Sequence, residues 1–283
     1  MKNIAIITDT DSSLPVDLTV QYGIRQVPIN VIIDGETYET GVDIDDHLLF
    51  EKLEKFKKYP TSSAPSPAAF AKAFKAAIHE GARSIICICV SSKVSSSYDS
   101  AVLASQMFQH DIVLIDSQNL SMGQGFMVLT AAVNVLNGAS REEVLKHLAN
   151  VGKRIHTFAV LPSLKYIALS GRLNKFSANI ADTLDIKPIL TVQEGKLEVV
   201  SRQRTSKKAI DKMLELVYLA CDGKTIERGA IIHANNPEGA HNLQERVYSI
   251  AANVNPFILA EFTPGLSIHT GPKTIGITIL TNG

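Results

Sequence analysis

The chain has 283 residues, of which 45% are hydrophobic and 20% charged, so it has enough apolar material for one large globular domain or two modest ones. Its 28 Lys and Arg residues equal its 28 Asp and Glu residues, and this balance gives no reason to expect a nucleic acid or an anionic membrane as partner. A small molecule or another protein is therefore the expected partner.

The three cysteines predict buried packing residues. Cys87, Cys89 and Cys221 form no disulfide framework, and neither a second C-x-C pair nor a histidine at ligand spacing supports a metal site. Met1-Lys2-Asn3 leads directly into a strand-like run, and no uncharged apolar stretch approaches about 20 residues. We therefore expect a cytoplasmic protein with no signal peptide, no stable membrane insertion and no metal.

The first half of the chain alternates strand and helix patterns. Strands are predicted over 4–8, 27–33, 85–90 and 112–115, and helices from Pro15 and over 45–57, 68–80, 97–108, 123–136 and 141–151. The three prolines between Tyr59 and Pro67 exclude a helix there. This alternation indicates βαβ units and a mostly parallel sheet.

The pattern changes near residue 152. The second half predicts a strand over 158–161, a short helix over 163–169 ended by Gly171, a hairpin over 186–202, a helix over 205–220, a strand over 229–233, a helix over 237–252, and strands over 257–261 and 274–280. We expect an α/β protein with an N-terminal parallel-sheet domain (1–152), a smaller C-terminal α/β domain (153–283) and a cleft between them.

A serine-rich stretch over 84–101 is the first candidate site, because it follows a predicted buried strand. Ligands in open α/β sheets bind beyond the carboxyl ends of strands. Two further loops, 61–66 and 269–272, also carry hydroxyl or imidazole side chains. Turn chemistry and helix capping explain each loop alone, but a cleft between the domains would bring all three together.

Three other kinds of site have weaker signals. No phosphate loop of the form G-x-x-x-x-G-K-[ST] exists, and Gly123-Gln124-Gly125 lacks a third glycine. The segment Gly265-Leu266-Ser267-Ile268-His269 resembles a nucleophile elbow only superficially, since histidine replaces the final glycine. Asp9 and Asp11 suit a metal or phosphoryl-transfer site, but capping of the next helix explains them equally well.

Several short motifs follow one another along nearly the whole chain. They are Thr8-Asp9-Thr10-Asp11-Ser12-Ser13, Ser62-Ser63-Ala64-Pro65-Ser66, the segment 91–101 (SSKVSSSYDSA), Ser170-Gly171-Arg172-Leu173, Lys187-Pro188-Ile189-Leu190, the segment 204–209 (RTSKKA), and the segment 269–276 (HTGPKTIG). Through them the chain resembles the DegV family of bacterial fatty-acid-binding proteins, the acyl carriers of the fatty acid kinase system.

The chain departs from the family pattern at four of these positions. Ser62 replaces threonine, Ala64 replaces glutamine, and Ser96 and Lys273 replace glycine. The hydroxyl groups of the pattern are kept, but the two glycine replacements change the loop geometry if those positions need a positive φ. We therefore expect an altered ligand preference rather than a loss of ligand binding.

The resemblance implies a long-chain fatty acid in a tunnel between the domains, and no cofactor. Its carboxylate would meet the hydroxyls of Ser63 and Ser95. The remaining implied ligand-binding residues are Thr61, Ser62, Ser96, His269 and Thr270. A separate ATP-binding kinase subunit would phosphorylate the carboxyl, so the chain would have no catalytic residues of its own.

The same resemblance leads to a prediction about the kinase. Arg172, Lys175, Arg202 and Arg204 would form part of a basic docking face, and the alternative is an ordinary solvated surface. Two other functions stay open. One is a serine hydrolase that uses His269 on a small ester or lipid, and the other is a lipid-responsive regulatory protein.

Overall fold

The computed structural model describes residues 4–170, 186–250 and 256–283. In the first half, the strands are β1 (Ile4–Asp9), β2 (Arg25–Val27), β3 (Asn30–Ile33), β4 (Glu36–Glu39), β5 (Thr61–Ser63), β6 (Ser84–Cys89) and β7 (Asp111–Asp116). The helices are α1 (Val16–Tyr22), α2 (Asp46–Lys52), α3 (Pro67–His79), α4 (Ser97–Ser105), α5 (Met122–Leu136) and α6 (Arg141–Val151).

In the second half, the described strands are β8 (Ile155–Val160), β9 (Lys187–Gln193), β10 (Lys196–Gln203), β11 (Ile226–His233), β12 (Ile258–Glu261) and β13 (Ile275–Thr281). The helices are α7 (Lys165–Ser170), α8 (Ser206–Cys221), α9 (Pro237–Ile250) and α10 (Pro264–Thr270). None of the helices in the described ranges combines the length and the apolar composition needed to cross a bilayer.

A parallel sheet with the strand order β2-β1-β6-β7 forms the first layer. Successive side chains of β6 point to opposite faces of the sheet, as in any β-strand. Cys87 and Cys89 pack with α3 and α4, whereas Ile86 and Ile88 pack with α5. Helices therefore cover both faces of the sheet, and its strands are apolar on both sides.

The second sheet has the order β10-β9-β8-β13-β11-β12 and is antiparallel except for the pair β11–β12. One face is covered by α8 and α9. Helix α5 lies between this sheet and the parallel one, and every residue from Met122 to Ala132 is buried. One hydrophobic cluster contains Ile86 of the parallel sheet, Phe126 of α5 and Ile232 of the second sheet. The division into two domains at residue 152 remains a prediction.

A small antiparallel sheet, β4-β3-β5, completes the architecture. Val31 of β3, Leu49 of α2 and Ile268 of α10 share one hydrophobic cluster. This cluster places α10 beside β5, so the two segments that carry His269 and Ser62 lie next to each other.

The predicted α/β class with a parallel N-terminal sheet is confirmed, but four predicted elements are wrong in detail. The loop expected at 61–66 begins with strand β5, because Thr61, Ser62 and Ser63 pair with β3. The single strand over 27–33 is two strands in different sheets, because Pro28 separates β2 from β3. Pro15 is the N-cap of α1 rather than a residue of its first turn. The loop expected at 269–272 begins in α10, a helix that the sequence pattern did not predict.

Candidate functional site

A cavity of about 590 Å³ lies where the three sheets meet, within the range of small-molecule pockets. Six of the seven predicted site residues line it, namely Ser62, Ser63, Ser95, Ser96, His269 and Thr270, and we call these six residues the polar mouth. Thr61 is exposed at the start of β5 and is not part of the lining. The three predicted loops therefore meet at one cavity.

The rest of the lining is mostly apolar. Side chains at 157, 159 and 161 alternate toward the cavity along and just beyond β8, and helix α7 adds Ile167. The apolar lining residues are Ile29, Ala64, Val94, Leu120, Ala159, Leu161, Ile167, Leu190, Val192, Leu197, Ile232, Phe262 and Leu266. An apolar cavity with one polar mouth suits an amphipathic molecule with a long apolar part.

The contact between β5 and α10 forms one side of the polar mouth. Ser62 Oγ lies 2.8 Å from His269 Nε2. The hydroxyl of Tyr59 donates a hydrogen bond to the carbonyl of Ile268, and burial raises the pKa of Tyr59 above its ordinary value. These contacts fix the imidazole relative to the serines.

Gly271 ends α10 with a φ of 85°, a conformation that glycine adopts without strain. A Cβ at this position would lie 2.2 Å from the ring of Tyr166, so only glycine lets α7 approach the end of α10. The rings of Tyr166 and Tyr59 are 5.9 Å apart. Helix α7 therefore packs on the same side of the cavity as β5.

The turn between β6 and α4 forms the other side of the polar mouth. The amides of Val94 and Ser95 both donate to the carbonyl of Ser91, each at 3.1 Å. Ser95 Oγ accepts a hydrogen bond from the amide of Ser97 at 3.2 Å. A hydroxyl that accepts this bond keeps its own proton for donation, so Ser95 can donate to a ligand in the cavity.

Asp9 holds this turn in place through hydrogen bonds to residues at both of its ends. Its carboxylate is fully buried and accepts hydrogen bonds from the amide of Val90 (2.9 Å), from Ser97 Oγ (2.6 Å) and from Gln124 Nε2 (3.0 Å). Burial raises the pKa of Asp9, and these hydrogen bonds oppose the increase. Asp9 is a structural acceptor for the serine turn, and no cluster suited to a metal ion occurs among the described residues.

The Gly123-Gln124-Gly125 segment also has a structural role. A Cβ at Gly125 would lie 2.8 Å from the carbonyl oxygen of Ser12, so glycine allows α5 to approach the turn after β1. Gln124 is fully buried and bonds Thr8 as well as Asp9. The segment packs α5 against β1, which accounts for its glycines without a nucleotide.

The hairpin β9–β10 docks onto the serine turn. Ser91 Oγ donates a hydrogen bond to the carbonyl of Gly195 at 2.7 Å. A Cβ at Gly195 would lie 2.5 Å from Ser91 Oγ. Val192 and Leu197, on the two strands beside this turn, line the cavity. The second half of the chain thus closes the cavity next to Ser95.

The Gly265–His269 segment does not form a nucleophile elbow. Ser267 is fully buried, is absent from the cavity lining, and donates to Asp46 Oδ2 at 2.5 Å. Burial, together with the nearby carboxylates of Glu261 and Asp45, raises the pKa of Asp46 to about 8, although the hydrogen bond from Ser267 opposes the shift. Ser267 holds α10 against α2 and offers no nucleophile to the cavity.

The positions where the sequence departs from the family pattern behave differently. Ser96 has a φ of −88°, which any residue adopts, so the replacement of glycine there causes no backbone strain. Lys273 has a φ of 68°, in the left-handed region. Of the predicted basic face, Arg202 and Arg204 are exposed, whereas Arg172 and Lys175 lie outside the described residues.

The sequence analysis missed most of the residues that make the cavity. Thr157 and Thr191 line it, and neither was predicted as a site residue. Asp11 lines it too, although the sequence suggested it only for a metal or phosphoryl-transfer site. The only signal was the alternation of side chains along the strand at 157–161, which looks the same for a packed core as for a cavity wall.

The chain is thus an α/β protein whose three sheets surround a mostly apolar cavity with a hydroxyl-lined mouth. The chain belongs to the DegV family, whose model matches residues 3–282 and describes an uncharacterised protein.

Three similar proteins illustrate the relationship. A DegV domain-containing protein of Caldanaerobacter subterraneus subsp. tengcongensis is 34% identical over 278 residues, which cover 98% of each chain. A structure described as fatty acid binding of a DegV family protein from Thermus thermophilus is 30% identical, with a TM-score of 0.92 over 99% of this chain and 100% of that one. DegV from Bacillus subtilis, described as a fatty acid binding protein, is 28% identical, with a TM-score of 0.90 over the whole of both chains.

Proposed function

We propose that the chain binds a long-chain fatty acid in this cavity, with the carboxyl group at the polar mouth. The observation that carries the proposal is a cavity in which apolar walls end at the hydroxyl and imidazole groups of the polar mouth. The proteins from Thermus thermophilus and Bacillus subtilis, both described as binding fatty acids, support the same ligand class.

The acyl tail supplies most of the binding free energy. Burial of one methylene contributes roughly 0.8 kcal/mol, so about fifteen methylenes contribute ~12 kcal/mol before the cost of association. The head-group contacts therefore set the orientation of the ligand more than its affinity.

Neutral donors suit a carboxyl that must react. An arginine would clamp a carboxylate with two charged hydrogen bonds. Hydroxyls such as Ser63 and Ser95, together with His269, satisfy the oxygens of the carboxylate and leave them nucleophilic.

The carrier presents this carboxyl to a separate ATP-binding kinase. A carboxylate oxygen attacks the terminal phosphorus of ATP, and ADP leaves with the electron pair of the broken P–O bond. Ser63 and Ser96 are exposed and also line the cavity, so the carboxyl would be within reach of a partner protein. Arg202 and Arg204, together with Arg172 and Lys175, are the proposed docking residues for the kinase.

Substitution of Ser95→Ala tests the head-group site. The variant removes one hydrogen bond to a charged group, and we expect palmitate affinity to fall about 10-fold with the fold intact. Ser105→Ala is the matched control, because Ser105 lies at the far end of α4 and donates to the carbonyl of Val102. Fluorescence titration of both variants measures the difference.

The kinase step has its own readout. The Ser95→Ala carrier, saturated with palmitate, should be a poorer substrate for a purified fatty acid kinase than the Ser105→Ala carrier. Unchanged palmitate affinity together with unchanged phosphorylation would remove Ser95 from the head-group site. A failure of any kinase to phosphorylate palmitate bound to the wild-type carrier would instead favour a regulatory lipid-binding protein.

A serine hydrolase remains the second candidate because Ser62 Oγ and His269 Nε2 are 2.8 Å apart, the distance of a nucleophile from its general base. A serine-directed fluorophosphonate separates the two functions. The carrier proposal expects no covalent labelling of Ser62. Stoichiometric labelling that is lost in Ser62→Ala would establish the hydrolase instead.

A further inference from the structure

Lys93 is the one Lys or Arg side chain in the cavity lining among the residues that the structure describes. It is exposed, and its ammonium group has neither a hydrogen bond nor an ion pair with those residues. The other charged side chain of the lining, Asp11, lies beside Gly265 at the start of α10 and accepts a long hydrogen bond from Thr263 at 3.4 Å. Among the described residues, the ammonium group of Lys93 therefore has no partner, and Lys93 belongs to the turn that also carries Ser95 and Ser96 of the polar mouth.

The backbone beneath Lys93 is held firmly. Its amide donates to Ser91 Oγ at 3.2 Å, within the turn that also fixes Ser95. On the preceding residue, Ser92 Oγ donates to Asp116 Oδ2 at 2.6 Å. The Lys93 Cγ lies 3.3 Å from the position that a Cβ of Gly195 would occupy, so the stem of the side chain rests against the hairpin turn.

The carboxylate of a fatty acid does not need this cation. It carries one negative charge, and the hydroxyls and the imidazole of the polar mouth can satisfy its oxygens. A phosphorylated head group is different, because it carries a charge of about −1.5 to −2 at pH 7 and three strong acceptor oxygens. Neutral donors alone leave that additional charge uncompensated.

We propose that Lys93 binds the phosphoryl group of the phosphorylated ligand, and so makes the polar mouth selective for an acyl phosphate over the free acid. The proposal rests on the proposed fatty acid function for the acyl tail, but it adds a residue and a second ligand state. Lys93 acts as a mobile point charge on a fixed turn, which suits a head group that grows during the reaction.

A comparison of two head groups tests this role. The probes are palmitate and hexadecyl phosphate, which have tails of similar length, and the measurement is the dissociation constant of each at pH 8. In Lys93→Gln we expect hexadecyl phosphate to bind about 3- to 5-fold more weakly, the effect of one exposed ion pair, while palmitate changes less than about 2-fold. The preference of the wild type for hexadecyl phosphate should also weaken between ~50 mM and ~500 mM salt.

Lys75→Gln is the matched control, since Lys75 is an exposed lysine on α3 that is absent from the cavity lining. Equal losses for both probes in Lys93→Gln would make Lys93 a general anion contact and overturn the proposal. No change for either probe would also overturn it while leaving fatty acid binding in place. Failure of the wild type to bind palmitate would overturn the fatty acid function, and the Lys93 role would fall with it.

Discussion

Lys273 adopts a left-handed backbone conformation, with a φ of 68°, at the turn between α10 and β13. Its amide donates to the carbonyl of Ala234 at 2.9 Å, so the conformation is fixed by hydrogen bonding. A side chain with a Cβ is strained in this region, whereas glycine is not. The backbone strain at Lys273 therefore lowers the stability of the folded chain, and it lies four residues after His269.

Substitution of Lys273→Gly should relieve that strain. We expect the free energy of unfolding to rise by about 0.5–1 kcal/mol, since the loss of strain exceeds the extra entropy of glycine in the unfolded chain. Urea denaturation measures the change. Lys273→Ala is the control, because it removes the long side chain but keeps the Cβ and should leave the stability nearly unchanged. A gain that is as large in Lys273→Ala would assign the effect to the side chain rather than to the backbone.

At the level of single residues, the polar mouth was largely predictable and the cavity wall was not. Ser95 and His269 lie in segments where hydroxyl and imidazole side chains follow one another closely, so their chemistry is visible in the sequence. Ile167 and Leu190 are apolar residues in a helix and a strand, and the sequence does not distinguish them from residues of a packed core. Whether such side chains face a cavity or one another depends on the distance between elements, which a one-dimensional pattern does not contain.

Among the elements, α10 carries His269 and Thr270 of the polar mouth and also Ser267, which makes the buried contact with α2. It has only seven residues and contains both proline and glycine, so its helical periodicity is too short to recognise. Tertiary contacts hold it in place, since Ile268 packs with Val31 and Leu49 and Ser267 donates to Asp46. The helix that carries His269 exists because of its surroundings rather than its own propensity.

The pH dependence of stability should report the burial of the Asp46 carboxyl group. In the folded chain the pKa of Asp46 is raised from 3.8 to about 8, so the folded state holds a proton that the unfolded state releases. The resulting stabilisation is complete below about pH 4 and is lost progressively as the pH rises to about 8. Within this window each pH unit removes about 1.4 kcal/mol.

Asp46→Asn should abolish this titration. Between pH 6 and pH 8 we expect the wild type to lose about 2 kcal/mol of stability relative to the variant, and the two curves to become parallel above that range. Asp17→Asn is the control, because Asp17 is an exposed carboxylate on α1 and is not among the groups that shift the pKa of Asp46. Chemical denaturation at several pH values gives the comparison, and parallel curves for wild type and Asp46→Asn from pH 6 to pH 8 would refute the assignment.

The whole molecule is organised by α5, which separates the parallel sheet from the second, mostly antiparallel sheet. The alternation of strands and helices predicted the first sheet correctly. The order of the second sheet was not predictable, because its neighbours are far apart in the chain, as in the pairing of β8 with β13. The single strand predicted over 27–33 was wrong for a similar reason. Pro28 separates β2 from β3, and only the pairing partners of these strands show that they belong to different sheets.

This arrangement places the cavity where segments distant in sequence converge. Ser62 and His269, 207 residues apart, form a hydrogen bond at the polar mouth. Ser91 donates a buried hydrogen bond to the carbonyl of Gly195, 104 residues away. A ligand that fills the cavity would contact both halves of the chain at once. Binding should therefore stabilise the molecule as a whole, by an amount that grows with the logarithm of the free ligand concentration once that concentration exceeds the dissociation constant.

The most direct test is organic extraction of the freshly purified protein followed by quantitative mass spectrometry. The proposed function predicts about one long-chain fatty acid per chain, and a markedly lower content in Ala159→Leu, which enlarges a side chain of the cavity wall. Ala68→Leu is the matched control, since Ala68 is exposed on α3, and it should keep the wild-type content. A wild-type protein that yields no fatty acid, and that binds none when palmitate is added, would contradict the account.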